Sequence, residues 1–344
     1  MQRDFGTGPV SSPPEARAAG RQVIAVVGID RYAHWPRLSN AVSDASGTRE
    51  LFLSLGFVEV VPPLLNDAAH GDAVRQLVTD DLARLAADDS LVIFFAGHGH
   101  TQTRTLPNGT EVKTGYIVPA DGEPPDGKAS TWLRLDSWLS DVARLPVQHV
   151  LVILDACHSG IALGELIKWR GQVTAKDTLE RLDARQSRRV ITSALDDELA
   201  LDSGPLPNHS LFTGCLIEAL SGGIEREGDR RVTGSQLGLY VQQRVQTYPG
   251  AKQTPDFGAL ELDDRGEMII RLPEDGRPVE PVEPVPPIRP IEPARPPVDP
   301  AATAATAPLD PALARANERK DLGVTFAAAL LPALIAAAYF VLLN

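Results

Sequence analysis

Apolar residues along this chain fall into short unbroken runs separated by stretches of helical period. Val23–Ile29, Leu91–Ala96 and Val150–Leu154 are rich in Val, Ile and Leu, the pattern of strands buried on both faces of a parallel sheet. Val58–Val61, Arg189–Ser193 and Met268–Leu272 read as further strands, the last closing the domain. Helices are predicted over Asn40–Leu55, with Ala41, Ala45, Thr48, Leu51 and Leu55 on one stripe, and over Ala68–Ala87, with Val74, Leu77, Val78, Leu82 and Leu85 facing inward. Four more are predicted over Leu135–Arg144, Ile161–Arg185, His209–Leu220 and Ser235–Thr247. Strands alternating with helices predict an α/β fold over residues 21–272.

The flanks differ from this core. Residues 1–20 are rich in Pro, Gly, Ser and Ala and read as a disordered leader. Eleven of the 28 residues from Pro273 to Pro300 are proline, so residues 273–320 read as a stiff, polyproline-like linker. Gly323–Leu343 offers about 20 uncharged, mostly apolar residues, enough for one bilayer crossing. Residues 321–344 are therefore predicted to form a single C-terminal transmembrane helix. Arg315, Arg319 and Lys320 precede it and only Asn344 follows, which places the large domain on the cytoplasmic side.

Composition narrows the chemistry. A net charge of −12 gives no basic footprint for nucleic acid. Only two cysteines occur, Cys157 and Cys215, so a disulfide framework is not expected and a reducing compartment is. The sharper signal lies just beyond two of the apolar strands. Ala96-Gly97-His98-Gly99 follows one and Asp155-Ala156-Cys157-His158-Ser159-Gly160 the other. Open α/β sheets bind ligands beyond the carboxyl ends of their strands.

A cysteine and a histidine presented there are the parts of a thiol nucleophile and its acid/base partner. A strand-to-helix junction at Cys157 favours the thiolate. The N–H groups of Gly99 and Cys157 could together form an oxyanion hole. Each motif alone has a plainer reading: a lone cysteine at a strand end is a small hydrophobe, and Gly-His-Gly is a turn. Co-occurrence in this order is what points to catalysis. Metal binding by His98, His100, Cys157 and His158 lacks the paired spacing of zinc sites, and no metal is expected.

These two motifs resemble those of the caspase-like cysteine peptidases, most closely the metacaspase and orthocaspase branch. Leu38-Ser39-Asn40-Ala41-Val42-Ser43-Asp44-Ala45 is similar to an early segment of that branch. Tyr116-Ile117-Val118-Pro119-Ala120-Asp121, His209-Ser210-Leu211-Phe212-Thr213 and Gln253-Thr254-Pro255 match later landmarks in order. The resemblance covers about Val23 to Leu272. It implies a caspase–haemoglobinase fold, a mainly parallel six-stranded sheet flanked by helices, and endopeptidase activity through His98 and Cys157.

It also implies an acidic S1 pocket, built here from Asp44 and Asp155, that takes Arg or Lys on protein or peptide substrates. Two carboxylates at a pocket base attract a cation and repel an acidic side chain. Ala96 and Ala41 depart from residues common in that branch. Calcium, which many of these relatives need, has no carboxylate in Ile161–Gly164 and only Asp136 in the other stretch, so no cofactor is expected. The segment Gly164–Arg189 resembles a linker that relatives cut in themselves, with Lys168, Arg170, Lys176, Arg181 and Arg185 as basic candidates. Two other functions stay open: a catalytically silent scaffold anchored at the membrane, and an amidase on a small substrate.

Overall fold

Seven strand segments form the central sheet of the computed structural model, which describes residues 20–156, 176–194, 198, 201–224 and 230–272. All of these lie in the first of two units of the chain, Met1–Arg289, and the second, Pro290–Asn344, lies outside the described residues. The expected leader, the proline-rich linker and the C-terminal membrane helix therefore lie outside them. Among the described residues no helix is long and apolar enough to cross a membrane.

The sheet is built on β1 (Gln22–Gly28), with β2 (Val58–Glu59) and β3 (Leu64–Leu65) along its outer side and β4 (Ser90–Ala96) along its inner side. A hairpin and one short strand follow in the chain. β5 (Gly99–Thr105) and β6 (Glu111–Ile117) pair antiparallel, and β7 (Leu133–Arg134) adds to β6. The main sheet resumes with β8 (His149–Asp155) beside β4 and β9 (Ser187–Thr192) beside β8, all parallel. β10 (Arg231–Thr233) stands apart. β11 (Asp256–Ala259) closes the main sheet antiparallel to β9, while β12 (Ile269–Arg271) pairs with β10.

Two expectations are corrected here. The sheet has seven segments instead of six strands, because its outer edge is split: β1 advances from Ile24 to Val27 while the edge runs from Glu59 to Leu64. The surplus residues include Pro62 and Pro63, which carry no N–H for a ladder. Met268–Leu272 bears the last strand, β12, as expected, and that strand pairs with β10 in a ribbon of its own. The helix expected over Ala68–Ala87 is α-helical only as α2 (Gly71–Gln76) and continues as a π-type turn, Leu77–Asp81, and a 3₁₀ turn, Leu82–Arg84. The Thr79 hydroxyl lies 3.2 Å from the Arg75 carbonyl and 2.7 Å from Asp80 Oδ2, local side-chain bonding that competes with the regular helix ladder. The inward residues Val74, Leu77, Val78, Leu82 and Leu85 are all buried as expected.

The remaining helices are α1 (Ala41–Ser54), α3 (Leu135–Ala143), α4 (Lys176–Asp183), α5 (Leu211–Glu218) and α6 (Gly234–Gln246). Strand alternation sorts the core into two layers. Val23, Ala25, Leu91, Ile93, Val150 and Val152 pack under α2 and α3. Ile24, Val26, Val92, Phe94, Leu151 and Ile153 pack under α1, α5 and α6. Each fully buried aliphatic or Phe side chain contributes about 1.5–3 kcal/mol, so the sheet centre is its stable floor.

Candidate active site

β4 and β8 run in register to a shared end, where Ala96 stands opposite Asp155 and Gly97 N–H donates to the Asp155 carbonyl at 3.2 Å. His98 lies two residues beyond Ala96, and Cys157 two beyond Asp155. Cys157 itself lies outside the described residues; of its described neighbours, Asp155 ends β8 beside Ala96 and Gly97, and Ala156 follows it, buried.

The loop after β1 holds His98. His98 Nε2 is 2.8 Å from the Pro36 carbonyl. A carbonyl only accepts, so Nε2 carries the proton and the neutral ring keeps its lone pair on Nδ1. Tyr32 and Trp35 flank the ring at centroid distances of 4.7 and 5.4 Å. Burial holds the His98 pKa below its usual value, against the opposing effects of the Pro36 carbonyl and the Asp202 charge. At neutral pH the imidazole is thus ready to accept a proton. Trp35 and Trp132 both donate their indole N–H to the Glu123 carbonyl, at 2.7 and 2.8 Å, bracing the loop from outside.

Gly99 opens β5. Val118 N–H donates to the His98 carbonyl at 3.0 Å, which makes 98 and 118 a hydrogen-bonded pair. The alternation of an antiparallel ladder then turns Gly99 N–H away from β6.

Asp44 and Asp155 come together from different elements. Asp155 continues the side-chain parity of Leu151 and Ile153 and so faces α1 and α5; Asp44 sits in the first turn of α1. They are only 2% and 8% exposed. Ser210 joins them: its N–H donates to Asp44 Oδ1 at 3.1 Å and its hydroxyl to Asp155 Oδ2 at 2.6 Å. The Thr213 hydroxyl adds a second bond to Asp155 Oδ2 at 2.8 Å, and His209 Nδ1 lies 2.9 Å from Asp44 Oδ1. Burial first, and the Asp155 charge second, push the Asp44 carboxyl up to about 8; burial likewise raises Asp155.

This pairing has a stability consequence. The Asp44 carboxyl titrates higher folded than unfolded, so the folded state binds the extra proton between pH about 4 and about 8. Stability is expected to fall as pH rises through that window, and Asp44→Asn to flatten the fall. Thermal melts of both proteins from pH 5 to 8 check it; parallel pH dependences would refute it.

Other landmarks are structural. Asp121 accepts Gly71 N–H at 2.8 Å at the start of α2. Gln253 bridges the Ser193 carbonyl and Leu201 N–H at 3.1 and 2.7 Å. Asp136 is bound to Arg134, and among the described residues no three His, Cys, Asp or Glu side chains are grouped to hold a metal. Lys168 and Arg170 lie outside the described residues, Arg181 lies in α4, and Arg185 pairs with Asp264 at 2.8 Å.

A family model described as the caspase domain matches residues 21–265. No curated protein matches the chain. Among solved structures, the crystal structure of protein GSU0716 from Geobacter sulfurreducens is 18% identical, with 74% of this chain and 95% of that chain covered and a TM-score of 0.47.

Proposed function

The chain belongs to the caspase domain family, and on that premise we propose that it is a membrane-tethered cysteine endopeptidase that cuts proteins after Arg or Lys. The observation that carries the specificity is the meeting of two buried acids, Asp44 and Asp155, on Ser210 beside the strand ends that bear the His and Cys motifs.

In this reading His98 Nδ1 takes the Cys157 thiol proton, and the thiolate attacks the scissile carbonyl. The N–H groups of Gly99 and Cys157 hold the oxyanion. Collapse breaks the C–N bond as His98 returns its proton to the leaving amine. Water, deprotonated by His98, then hydrolyses the thioester. A guanidinium or ammonium entering the S1 pocket would take the place of the proton that burial keeps on Asp44.

For an Arg peptide, kcat/KM is therefore expected to rise with pH toward about 8, as Asp44 ionises in the empty pocket. Asp44→Asn is expected to lower that kcat/KM roughly 100-fold, the scale for removing one partner of a buried charge pair. An unchanged Arg preference in this variant would remove Asp44 from the pocket.

The tether would be residues 321–344, with the catalytic domain cytoplasmic; retention of the full chain in washed membranes and its loss on deleting 321–344 is the check. Self-cleavage would fall at one of the basic residues Lys168, Arg170, Lys176, Arg181 or Arg185; a cut at Arg181 would first need α4 to open, and one at Arg185 the loss of its pairing with Asp264.

The deciding experiment is a fluorogenic peptide panel varying only the scissile residue, with and without calcium. Cleavage after Arg and Lys at least about 100-fold above Asp is expected. No cleavage of any peptide would favour a silent scaffold.

A further inference from the structure

His98 is held at two points by one loop, and only one of them concerns its ring. The second is its own main chain. In a hydrogen-bonded antiparallel pair each residue donates to the other. Here Val118 N–H donates to the His98 carbonyl at 3.0 Å, but His98 N–H goes instead to the Tyr32 hydroxyl oxygen at 2.7 Å. The phenol thus stands in for a strand partner and draws the His98 amide out of the ladder as β5 begins.

We propose that Tyr32 is a positioning residue for His98, its hydroxyl oxygen fixing the Gly97–His98 turn and with it the orientation of the imidazole that leaves Nδ1 as the proton acceptor. The proposal rests on the reading of His98 as the acid/base group. Three features converge on it. Gly97 matches the phenol: a Cβ there would lie 2.6 Å from the Tyr32 hydroxyl oxygen, so only glycine lets the phenol approach. The Tyr32 ring packs on the imidazole at 51°.

The loop is also anchored on both sides of Tyr32. Asp30 and Arg31 N–H both donate to Asn66 Oδ1 at 3.0 Å, and Ala33 N–H donates to the Ala120 carbonyl at 2.8 Å. The same loop supplies the Pro36 carbonyl that holds Nε2–H. Backbone and ring of His98 are therefore referenced to one rigid segment. Burial raises the phenol's pKa, so it stays neutral wherever a cysteine peptidase works.

Tyr32→Phe keeps the ring and its packing and removes only the acceptor. His98 N–H is then free to return to the ladder toward Val118, carrying the imidazole with it. A displacement of about 1 Å at a catalytic group costs up to about 100-fold. In the full chain, kcat on an Arg peptide is expected to fall roughly 10- to 100-fold. KM should stay within about twofold, since the phenol makes no contact with Asp44 or Asp155.

The second readout is the imidazole itself. With ¹⁵N-histidine labelling of the seven histidines, wild type should show His98 as a single Nε2–H tautomer. Tyr32→Phe should show mixed tautomers and a shifted titration midpoint. A purely structural role would lower Tm and leave kcat per folded molecule and the His98 signals as in wild type; either result overturns the proposal. If wild type cleaves no peptide, the peptidase reading fails, and the imidazole spectrum alone decides whether Tyr32 sets the His98 tautomer.

Discussion

Cys157→Ala is expected to lower kcat/KM on an Arg peptide by at least about 10⁴-fold, and His98→Ala by about 10³- to 10⁴-fold. The first loss is larger because alanine offers no nucleophile, whereas a thiol without its base still ionises in part at neutral pH. The double variant should be no slower than Cys157→Ala, since residues that act as a unit lose their contribution once. Peptide binding should persist in both, because the acid pair proposed to hold the basic side chain rests on Ser210 and Thr213 and not on His98 or Cys157. Equilibrium binding of an Arg peptide to Cys157→Ala separates a lost nucleophile from a lost fold. A Cys157→Ala protein that still turned over would place the chemistry elsewhere.

The parts of the site legible in the sequence are those set by local pattern. β4 and β8 stand out because unbroken apolar runs are what a strand covered on both faces requires. Their ends locate His98 and Asp155, and strand parity turns Asp155 toward α1, where Asp44 waits one turn into the helix. What stayed hidden depends on contacts between distant residues. Tyr32 and Trp35 sit in a loop with no periodicity, and their roles appear only when that loop meets His98 and Glu123, 66 and 88 positions away.

The β5–β6 hairpin was hidden for another reason. Gly99–Thr105 has no apolar face to betray a strand, since its far half is exposed. Its one local sign was Asn108-Gly109, where Gly109 takes φ +82° in the turn. Ser210 and Thr213 read as the start of a helix, which they are; that their hydroxyls also hold Asp155 is a fact of packing.

Arg188 shows how far such packing can invert a local reading. The strand expected over Arg189–Ser193 leaves Arg188 just outside it. Instead β9 begins at Ser187 and Arg188 is completely buried. Its guanidinium donates to five carbonyls, those of Ala143, Leu145, Val147, Gln148 and Ser187, at 2.8 to 3.2 Å. Burial pushes its pKa down only to about 10, so it is charged at every working pH.

Three of those carbonyls belong to the turn that delivers the chain from α3 into β8, and a fourth, of Ala143, ends α3; β8 sets the level at which Asp155 meets Ala96. Arg188→Met keeps most of the stem and removes every donor, leaving buried acceptors unpaired. The expected cost is about 3–5 kcal/mol, or a Tm lower by roughly 10 °C for a domain of this size. Arg188→Lys should recover only part of it, because one ammonium cannot reproduce a planar fork aimed at several carbonyls. Urea melts of the three proteins decide the matter: a Met variant within 1 kcal/mol of wild type would mean that water takes over these carbonyls, and that the α3–β8 turn does not need its buried charge.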